Sequence, residues 1–319
     1  MPEPERVEEW RPPLDPDPRG RSVSRSLPAA PAAPDRVAAV VILYRPDESA
    51  VRNILSYSSQ VATVLAIDNS EQPDQALVEQ VRSIANVVYH PIGANAGIAT
   101  ALNAGIEMAE CAGYRWVLTM DQDSTAEPDM VGRMVAYLEA DSGSQPIALV
   151  APEHLQVGGK PQRRPSGLVR ILTTMTSGNL LSVEAWRKTG RFMDGLFIDQ
   201  VDNEYCLRLS RAGYRIVVAG GAVLHHRVGA LQRHRFPIPA FTSNHSALRR
   251  YYITRNRLLV GRMYWSDYPQ YGRYELAQAV KEIVKIVLYE SHKRLKLRMI
   301  WRGYTDFRRG VLGPYRERR

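Results

Sequence analysis

W-V-L-T-M-D-Q-D-S, residues 116–124, is the stretch on which the reading of this chain turns. An apolar run from Trp116 to Met120 stops at two carboxylates one residue apart, Asp121 and Asp123. A short apolar run bounded by polar residues predicts a buried parallel strand, and in open α/β sheets ligands gather beyond the carboxyl ends of strands. Two hard oxygen ligands at such an edge suit Mg²⁺ or Mn²⁺, which are shared between one or two carboxylates and a substrate's phosphates. The stretch therefore predicts a metal that holds a nucleotide diphosphate. D-x-D also occurs in solvated turns, so the surroundings decide.

Those surroundings alternate strand and helix. V-A-A-V-V-I-L-Y (37–44), V-A-T-V-L-A-I-D-N-S (61–70), V-V-Y-H (87–90) and I-A-L-V-A-P (147–152) read as strands, with helices after Pro46, around 73–85 and over 97–112. Further on, 173–182 reads as strand and turn, 183–189 and 200–212 as helices, and 214–219 as a late strand. Residues 153–170, rich in Gly, Pro and Arg, read as a mobile loop. This alternation predicts an α/β fold with a doubly wound, mostly parallel sheet and a helical C-terminal extension. Residues 1–35 lack apolar periodicity and read as a disordered leader, which leaves 36–240 as the catalytic domain and 241–319 as a basic helical region.

Composition narrows the class. With 319 residues, 45% of them apolar, the chain has ample core, and two cysteines supply neither a disulfide framework nor metal-ligand spacing. No run approaches the ~20 apolar residues of a membrane span and no secretory leader is recognisable, so a cytoplasmic protein is expected. The net charge of +9 is a tail property: residues 281–319 carry twelve Lys and Arg against four acids. There, apolar positions 280, 283, 284, 287 and 288 accompany Lys281, Lys285, Lys293 and Lys296. That pattern is a basic amphipathic helix, suited either to an anionic membrane surface or to packing on the catalytic domain.

Several polar groups could carry chemistry. Asp68, at a strand end, can accept from a nucleobase imide or ribose, or can form an Asx turn with Asn69. Asn95, Gly97 and Asn103 sit where a loop enters a helix; Asn95 reads as the cap and the helix start as a phosphate site. Asp199, Asp202 and Glu204 lie near the start of a helix, where Asp199 and Asp202 share a face if the helix begins early enough. A proton-accepting carboxylate is what an attacking hydroxyl needs. His225 and His226 offer a metal ligand or a surface pair. Arg249, Arg250, Arg255 and Arg257, interleaved with Tyr251 and Tyr252, form either a pyrophosphate-binding face or a solvated one.

The motifs V-V-I-L-Y-R-P (40–46), A-I-D-N-S (66–70), N-A-G-I-A-T-A-L-N-A-G-I (95–106), D-Q-D (121–123), T-S-G-N-L-L-S (176–182), F-I-D-Q-V-D-N-E-Y-C-L-R (197–208), H-R-V-G (226–229) and R-Y-Y-I-T-R-N-R (250–257) occur in one order. Together they resemble the family 2 inverting glycosyltransferases of GT-A fold, bacterial rhamnosyltransferases above all, over about residues 37–315. The resemblance implies a donor site of Tyr44, Asp68, Asn95, Gly97, Asn103, Asp121 and Gln122. It implies a metal held by Asp123, Asp121 and His226, the histidine that fits H-x-x-G. Ser177, Gly178, Asn179, Glu204, Arg250, Arg255 and Asn256 would meet acceptor or pyrophosphate. Aligned on C-L-R, Asp202 takes the place of the family's base, with Asp199 as the alternative because Val201 replaces the usual preceding acid. The implied donor is dTDP-L-rhamnose and the implied acceptor a polyprenyl-diphosphate-linked saccharide of cell-wall or polysaccharide synthesis at the inner membrane face. A UDP-sugar such as UDP-galactofuranose is the rival donor. A basic nucleic-acid-binding protein, the rival of another class, leaves the carboxylate groups without a role.

Overall fold

A computed structural model describes residues 37–156, 167–226, 232–234 and 240–317. The proposed leader, residues 1–35, and Arg227 to Gly229 of H-R-V-G lie outside the described residues. Among the described residues, contacts divide the chain into two compact units, one of 37–192 and 205–226, the other of 193–204 and 232–317. The division is therefore not a single cut near residue 240, since 193–204 group with the C-terminal helices.

The first unit is built on β1 (Val37–Leu43), β2 (Thr63–Asp68), β3 (Val87–Pro91) and β4 (Trp116–Asp121), interleaved with α1 (Ser49–Ser58), α2 (Gln75–Arg82) and α3 (Ile98–Cys111). All seven residues of β1 are buried, as expected of a strand covered on both faces. Each fully buried Val, Leu or Ile there contributes roughly 1.5–3 kcal/mol. Helix α2 starts where its N-cap Asp74 accepts from the Ala76 and Leu77 amides, and it buries Leu77, Val78 and Val81.

After β4 come β5 (Ser124–Ala126), α4 (Met130–Ala140), β6 (Ile147–Gln156), β7 (Leu168–Ile171), β8 (Asn179–Ser182), α5 (Val183–Thr189), α6 (Val201–Arg211) and β9 (Arg215–His226). The boundary between the units falls within α6. Strands β1 to β9 form one nine-stranded sheet in the order β3-β2-β1-β4-β8-β6-β9-β5, with β7 also on β9. Strands β3, β2, β1 and β4 are parallel neighbours, whereas β8, β5 and β7 pair antiparallel. The sheet is thus mixed, and mostly parallel only in its first half. The expected loop 153–170 is partly strand, in β6 and β7, and residues 157–166 lie outside the described part.

The second unit pairs β10 (Gln232–His234) with β11 (Ala240–Thr242) and carries α7 (Ala247–Met263), α8 (Pro269–Tyr289) and α9 (Lys293–Arg308). The expected single tail helix is broken at Glu290–His292, where His292 has a left-handed φ of 52°. Helix α8 has an inverted arrangement. Its inward residues are Tyr271, Glu275, Glu282 and Ile286, with Glu275 and Glu282 paired to Arg257 and Glu282 also to Arg250 of α7. Its apolar stripe, Leu276, Val280, Ile283, Val284 and Val287, is exposed, Val280 at 63%. The stripe therefore does not pack on its own unit. No described helix is long and apolar enough to cross a membrane.

Candidate functional site

The parallel strands deliver the first half of the site. β4 ends at Asp121, and the turn of Gln122 and Asp123 leads into β5, whose antiparallel register on β9 sets Ser124 opposite His226. Two elements separated by about a hundred residues thereby bring Asp121, Asp123 and His226 together, with one ligand atom of each within 4.8 Å of the others. Asp123 Oδ1 is buried and has no hydrogen-bond partner among the described residues. His226 Nδ1 lies 3.7 Å from it, beyond hydrogen-bond reach. An unpartnered buried carboxylate oxygen is costly to keep, and beside a second carboxylate and an imidazole it fits a divalent cation. Strand alternation sends His225 the other way, to Glu127 Oε1 at 2.9 Å, so only one of the two histidines joins the group.

The turn is tightly held. Asn53 of α1 donates to the Gln122 carbonyl at 2.7 Å and accepts from Thr125 Oγ1 at 3.0 Å. The Asp121 amide donates to Ser177 Oγ (3.0 Å), Ser177 Oγ lies 2.9 Å from Ser124 Oγ, and Ser124 Oγ lies 2.9 Å from His226 Nδ1. Behind them His154 Nε2 donates to the Ser177 carbonyl at 2.7 Å. Burial above all, with the nearby His226 adding, pushes the His154 pKa down to about 4, against the pull of that carbonyl. Sequence reading missed Ser124, Asn53 and His154. Ser124 adjoins D-Q-D, but His154 fell in the expected loop.

At the end of β2, Asp68 is buried, with Oδ1 accepting from the Ser70 amide at 2.8 Å and Oδ2 from the Tyr89 hydroxyl at 2.6 Å. The Asx turn is real, and a cleft beside it is lined by Leu43, Pro46, Leu77, Val81 and Tyr89. Burial, and then the Asp68 carboxylate, raise the Tyr89 pKa and keep it a donor.

Several expected donor-site residues have other work. Gln122 exchanges hydrogen bonds with the Tyr44 backbone, accepting at 2.8 Å and donating at 3.2 Å. Tyr44 itself is exposed, with its hydroxyl toward Glu71. Asn95 is not the cap of α3: that place belongs to Gly97, at φ 88°, while Asn95 Oδ1 accepts from the Gly97 amide and from Asn69. Asn103 is fully buried and grips the Phe192 backbone through both ends of its amide at 2.9 Å. Ser177, Gly178 and Asn179 build a turn against β4. Gly178, at φ 83°, has no room for a Cβ against Pro152 and Leu224, and Asn179 donates to the Met175 carbonyl at 2.6 Å.

The helical unit holds the second group of candidates. Helix α6 begins at Val201, so Asp199 precedes it and does not share a helical face with Asp202. Phe197, Asp199 and Gln200 all have positive φ, 67°, 63° and 65°, a strained run of the kind that persists where the surroundings enforce it. Asn256 enforces it, donating to the carbonyls of Leu196, Ile198 and Asp199 at 2.7–3.0 Å. Asp199 Oδ1 pairs with Arg249 at 3.1 Å, while Oδ2 is buried with no partner among the described residues. Burial raises the Asp199 pKa, with Arg249 opposing. Asp202 is half-buried, and its Oδ1 accepts from the Asn203 amide.

The donors expected to meet a diphosphate are engaged with the chain itself. Arg255, at 0% exposure, donates to the carbonyls of Gly195, Leu196 and Gly313. Arg250 is held by Glu282 and Glu290, and Glu204 accepts from Tyr264 at 2.9 Å. Arg250, Arg255, Asn256 and Glu204 thus hold the helical unit together. All four are buried, so they do not form a solvated face.

Residues 45–175 match the family described as Glycosyl transferase family 2. Over 245 residues the chain is 25% identical to the dTDP-rhamnosyl transferase RfbF of Shigella flexneri, spanning 70% of this chain and 78% of that protein. Its fold is similar to that of S. aureus TarS 1-349 in complex with UDP-GlcNAc, with a TM-score of 0.58 and 14% identity over 86% of this chain and 81% of that one. It is similar also to GalNAc-T7 with UDP, GalNAc and Mn²⁺, at 0.57 and 13% over 88% of this chain and 57% of that one.

Proposed function

We propose that this chain, a rhamnosyltransferase-like family 2 glycosyltransferase of GT-A fold, transfers L-rhamnose with inversion from dTDP-L-rhamnose to a polyprenyl-diphosphate-linked saccharide. The unpartnered Asp123 oxygen within the Asp121, Asp123 and His226 group carries the reading, since it asks for a cation outside the chain. The likeness to a dTDP-rhamnosyl transferase supports the donor. Bound Mg²⁺ or Mn²⁺ would neutralise charge on the departing diphosphate. Asp121, Asp123 and His226 are the residues to hold it, and the resemblance gives the base and ribose to Asp68.

In the transfer, the acceptor hydroxyl oxygen bonds to the anomeric carbon as the bond from that carbon to the diphosphate oxygen breaks. The hydroxyl proton passes to a carboxylate, and dTDP leaves. The resemblance gives that role to Asp202. A specific observation favours Asp199 as the second candidate: its buried free oxygen and raised pKa are those of a proton acceptor.

The outward apolar stripe of α8, next to Lys281 and Lys285, and exposed Arg294, Arg298 and Trp301 on α9 support docking on the anionic inner face of the cell membrane, where such an acceptor resides.

Two measurements test the reading. Calorimetry should show dTDP binding that requires Mn²⁺ and is lost in Asp123→Ala; unchanged affinity in that variant would remove the metal. A donor screen on a synthetic lipid-diphosphate disaccharide should yield a rhamnosylated product. Transfer from UDP-galactofuranose and not from dTDP-rhamnose would replace the donor.

A further inference from the structure

We infer that Gln122 is a positioning residue that couples the metal group to the nucleoside end of the donor site, by locking the Asp121–Asp123 turn onto the end of β1. The inference rests on the donor and metal reading above and adds the link between its two halves.

Strand order sets up the link. β1 lies between β4, which ends at Asp121, and β2, which ends at Asp68, with Ile42 opposite Asp121 and Leu43 opposite Asp68. Backbone pairing of β1 with β4 stops at Ile42, and beyond it the Gln122 side chain takes over. Its Oε1 accepts from the Tyr44 amide at 2.8 Å and its Nε2 donates to the Tyr44 carbonyl at 3.2 Å. A backbone N–H only donates and a carbonyl only accepts, so this pair fixes which way the side-chain amide points. The Gln122 carbonyl is taken by Asn53 Nδ2 at 2.7 Å. The residue between the two carboxylates is therefore held through both its side chain and its backbone.

The neighbours of Tyr44 are tied the other way, to the end of β2. The Leu43 carbonyl accepts from Asn69 N–H at 2.7 Å, and Arg45 N–H donates to Ser70 Oγ at 2.8 Å. Ser70 N–H in turn donates to Asp68 Oδ1 at 2.8 Å. Arg45 has φ 45°, a strained conformation that lasts where the surroundings enforce it. A path of hydrogen bonds and adjacent backbone thus runs from the 121–123 turn through residues 43–45 to Asp68. Such a path carries coupling only when ligands at both ends bias one element. Residues 43–45 are that element. A nucleoside on Asp68 and a cation on Asp121 and Asp123 each order it, so each raises the other's affinity by the same factor.

The test uses thymidine, with uridine as the arm for the rival donor, because a nucleoside has no phosphate with which to reach the metal. Mn²⁺ affinity is measured by electron paramagnetic resonance of the free ion, with and without saturating nucleoside. The wild type should bind Mn²⁺ about 5-fold tighter with nucleoside present, the lower end of ordinary coupling. In Gln122→Ala that ratio should fall to about one, with the nucleoside still bound. A residue that only stabilised the fold would lower both Mn²⁺ affinities and leave their ratio unchanged. No change of Mn²⁺ affinity with nucleoside in the wild type, or a wild-type ratio in Gln122→Ala, overturns the inference and leaves the metal reading standing. A wild type that binds no Mn²⁺ even with dTDP, or that binds neither nucleoside, overturns the reading and the inference with it. A second readout does not depend on the variant folding: NMR of the wild type, in which Mg²⁺ should shift the Ser70 amide and thymidine the Gln122 side-chain amide. Shifts confined to each ligand's own end overturn the inference.

Discussion

In the sheet unit Asp123 keeps a buried carboxylate oxygen without a partner, whereas in the helical unit Glu290 uses both of its oxygens, on Arg250 at 2.7 Å and on Lys296 at 2.8 Å. Glu290 follows α8, Arg250 belongs to α7 and Lys296 to α9, so one carboxylate ties three helices. In sequence the two residues are equally charged. What separates them is where their lone pairs go. An acid whose bonds close within the chain holds the fold, and one that keeps a buried oxygen open points to a ligand. By the same measure Asp199 stands apart in the helical unit, with one oxygen paired and one open.

The contrast predicts opposite costs for removing the two kinds of acid. Glu290→Ala should destabilise by about 3–5 kcal/mol in denaturant unfolding, because it leaves buried Lys296 without its counter-charge and Arg250 with only Glu282. Asp123→Ala should leave stability near wild type or raise it, while removing Mn²⁺-dependent dTDP binding. Similar unfolding costs for the two would break the distinction.

Next in size is the base. Asp202→Asn should cut turnover by about 10²-fold, with dTDP affinity little changed, because an amide of nearly the same shape cannot take the proton. If Asp199→Asn is the inactive variant and Asp202→Asn turns over normally, the open oxygen of Asp199 is the functional one. The comparison would then extend to both units.

Acid should act on both units alike, since burial and not pairing leads there. His154 and His245 are each pushed down to about 4 by burial, with Arg249 and Arg250 adding at His245. A histidine with a depressed folded pKa binds fewer protons folded than unfolded. Its contribution is therefore fully present above about pH 6.5 and is lost as pH falls toward about 4. With the partial exposure of His245 discounted, each should account for about 2 kcal/mol of the stability lost as pH falls from about 6.5 to about 4. Denaturant melts between pH 7.5 and 4.5 should show the slope reduced in His154→Gln and in His245→Gln. A slope unchanged in both would mean that neither histidine is held neutral.

The smallest effects belong to the exposed and half-buried cations of α8 and α9. Reversing Lys281, Lys285, Lys293 or Arg294 to Glu should weaken sedimentation with anionic liposomes by about 1 kcal/mol per residue, with little effect on melting. Raised salt should mimic the change. Lys296→Glu should instead destabilise the protein, because that lysine is buried against Glu290. Equal, salt-independent binding to neutral and anionic liposomes would remove the membrane from the reading.

Much of the framework was legible because its signals are local. The buried runs 37–43 and 116–120, the Asp at the end of each of β2 and β4, and the 3.6-residue spacing of α2 each follow from residues close in sequence. Even the pairing of D-Q-D with His226 could be anticipated, through a motif resemblance. Local pattern was weakest where partners are distant: β5 and β7 are short edge strands with no periodicity of their own, and the apolar stripe of α8 reads equally as a packing face or a membrane-facing one.

The sequence by itself determined the alternating α/β order, the positions of the strand ends and the carboxylates placed there, because strand and helix periodicities are read within one element. Only the tertiary structure decided which polar groups are occupied. It turned Asn103, Arg255 and Asn256 into internal braces, put Ser124 against His226 and left an oxygen of Asp123 open. The physical reason is that a buried hydrogen bond is a property of two groups and the space between them, and those groups lie up to 102 residues apart in the chain.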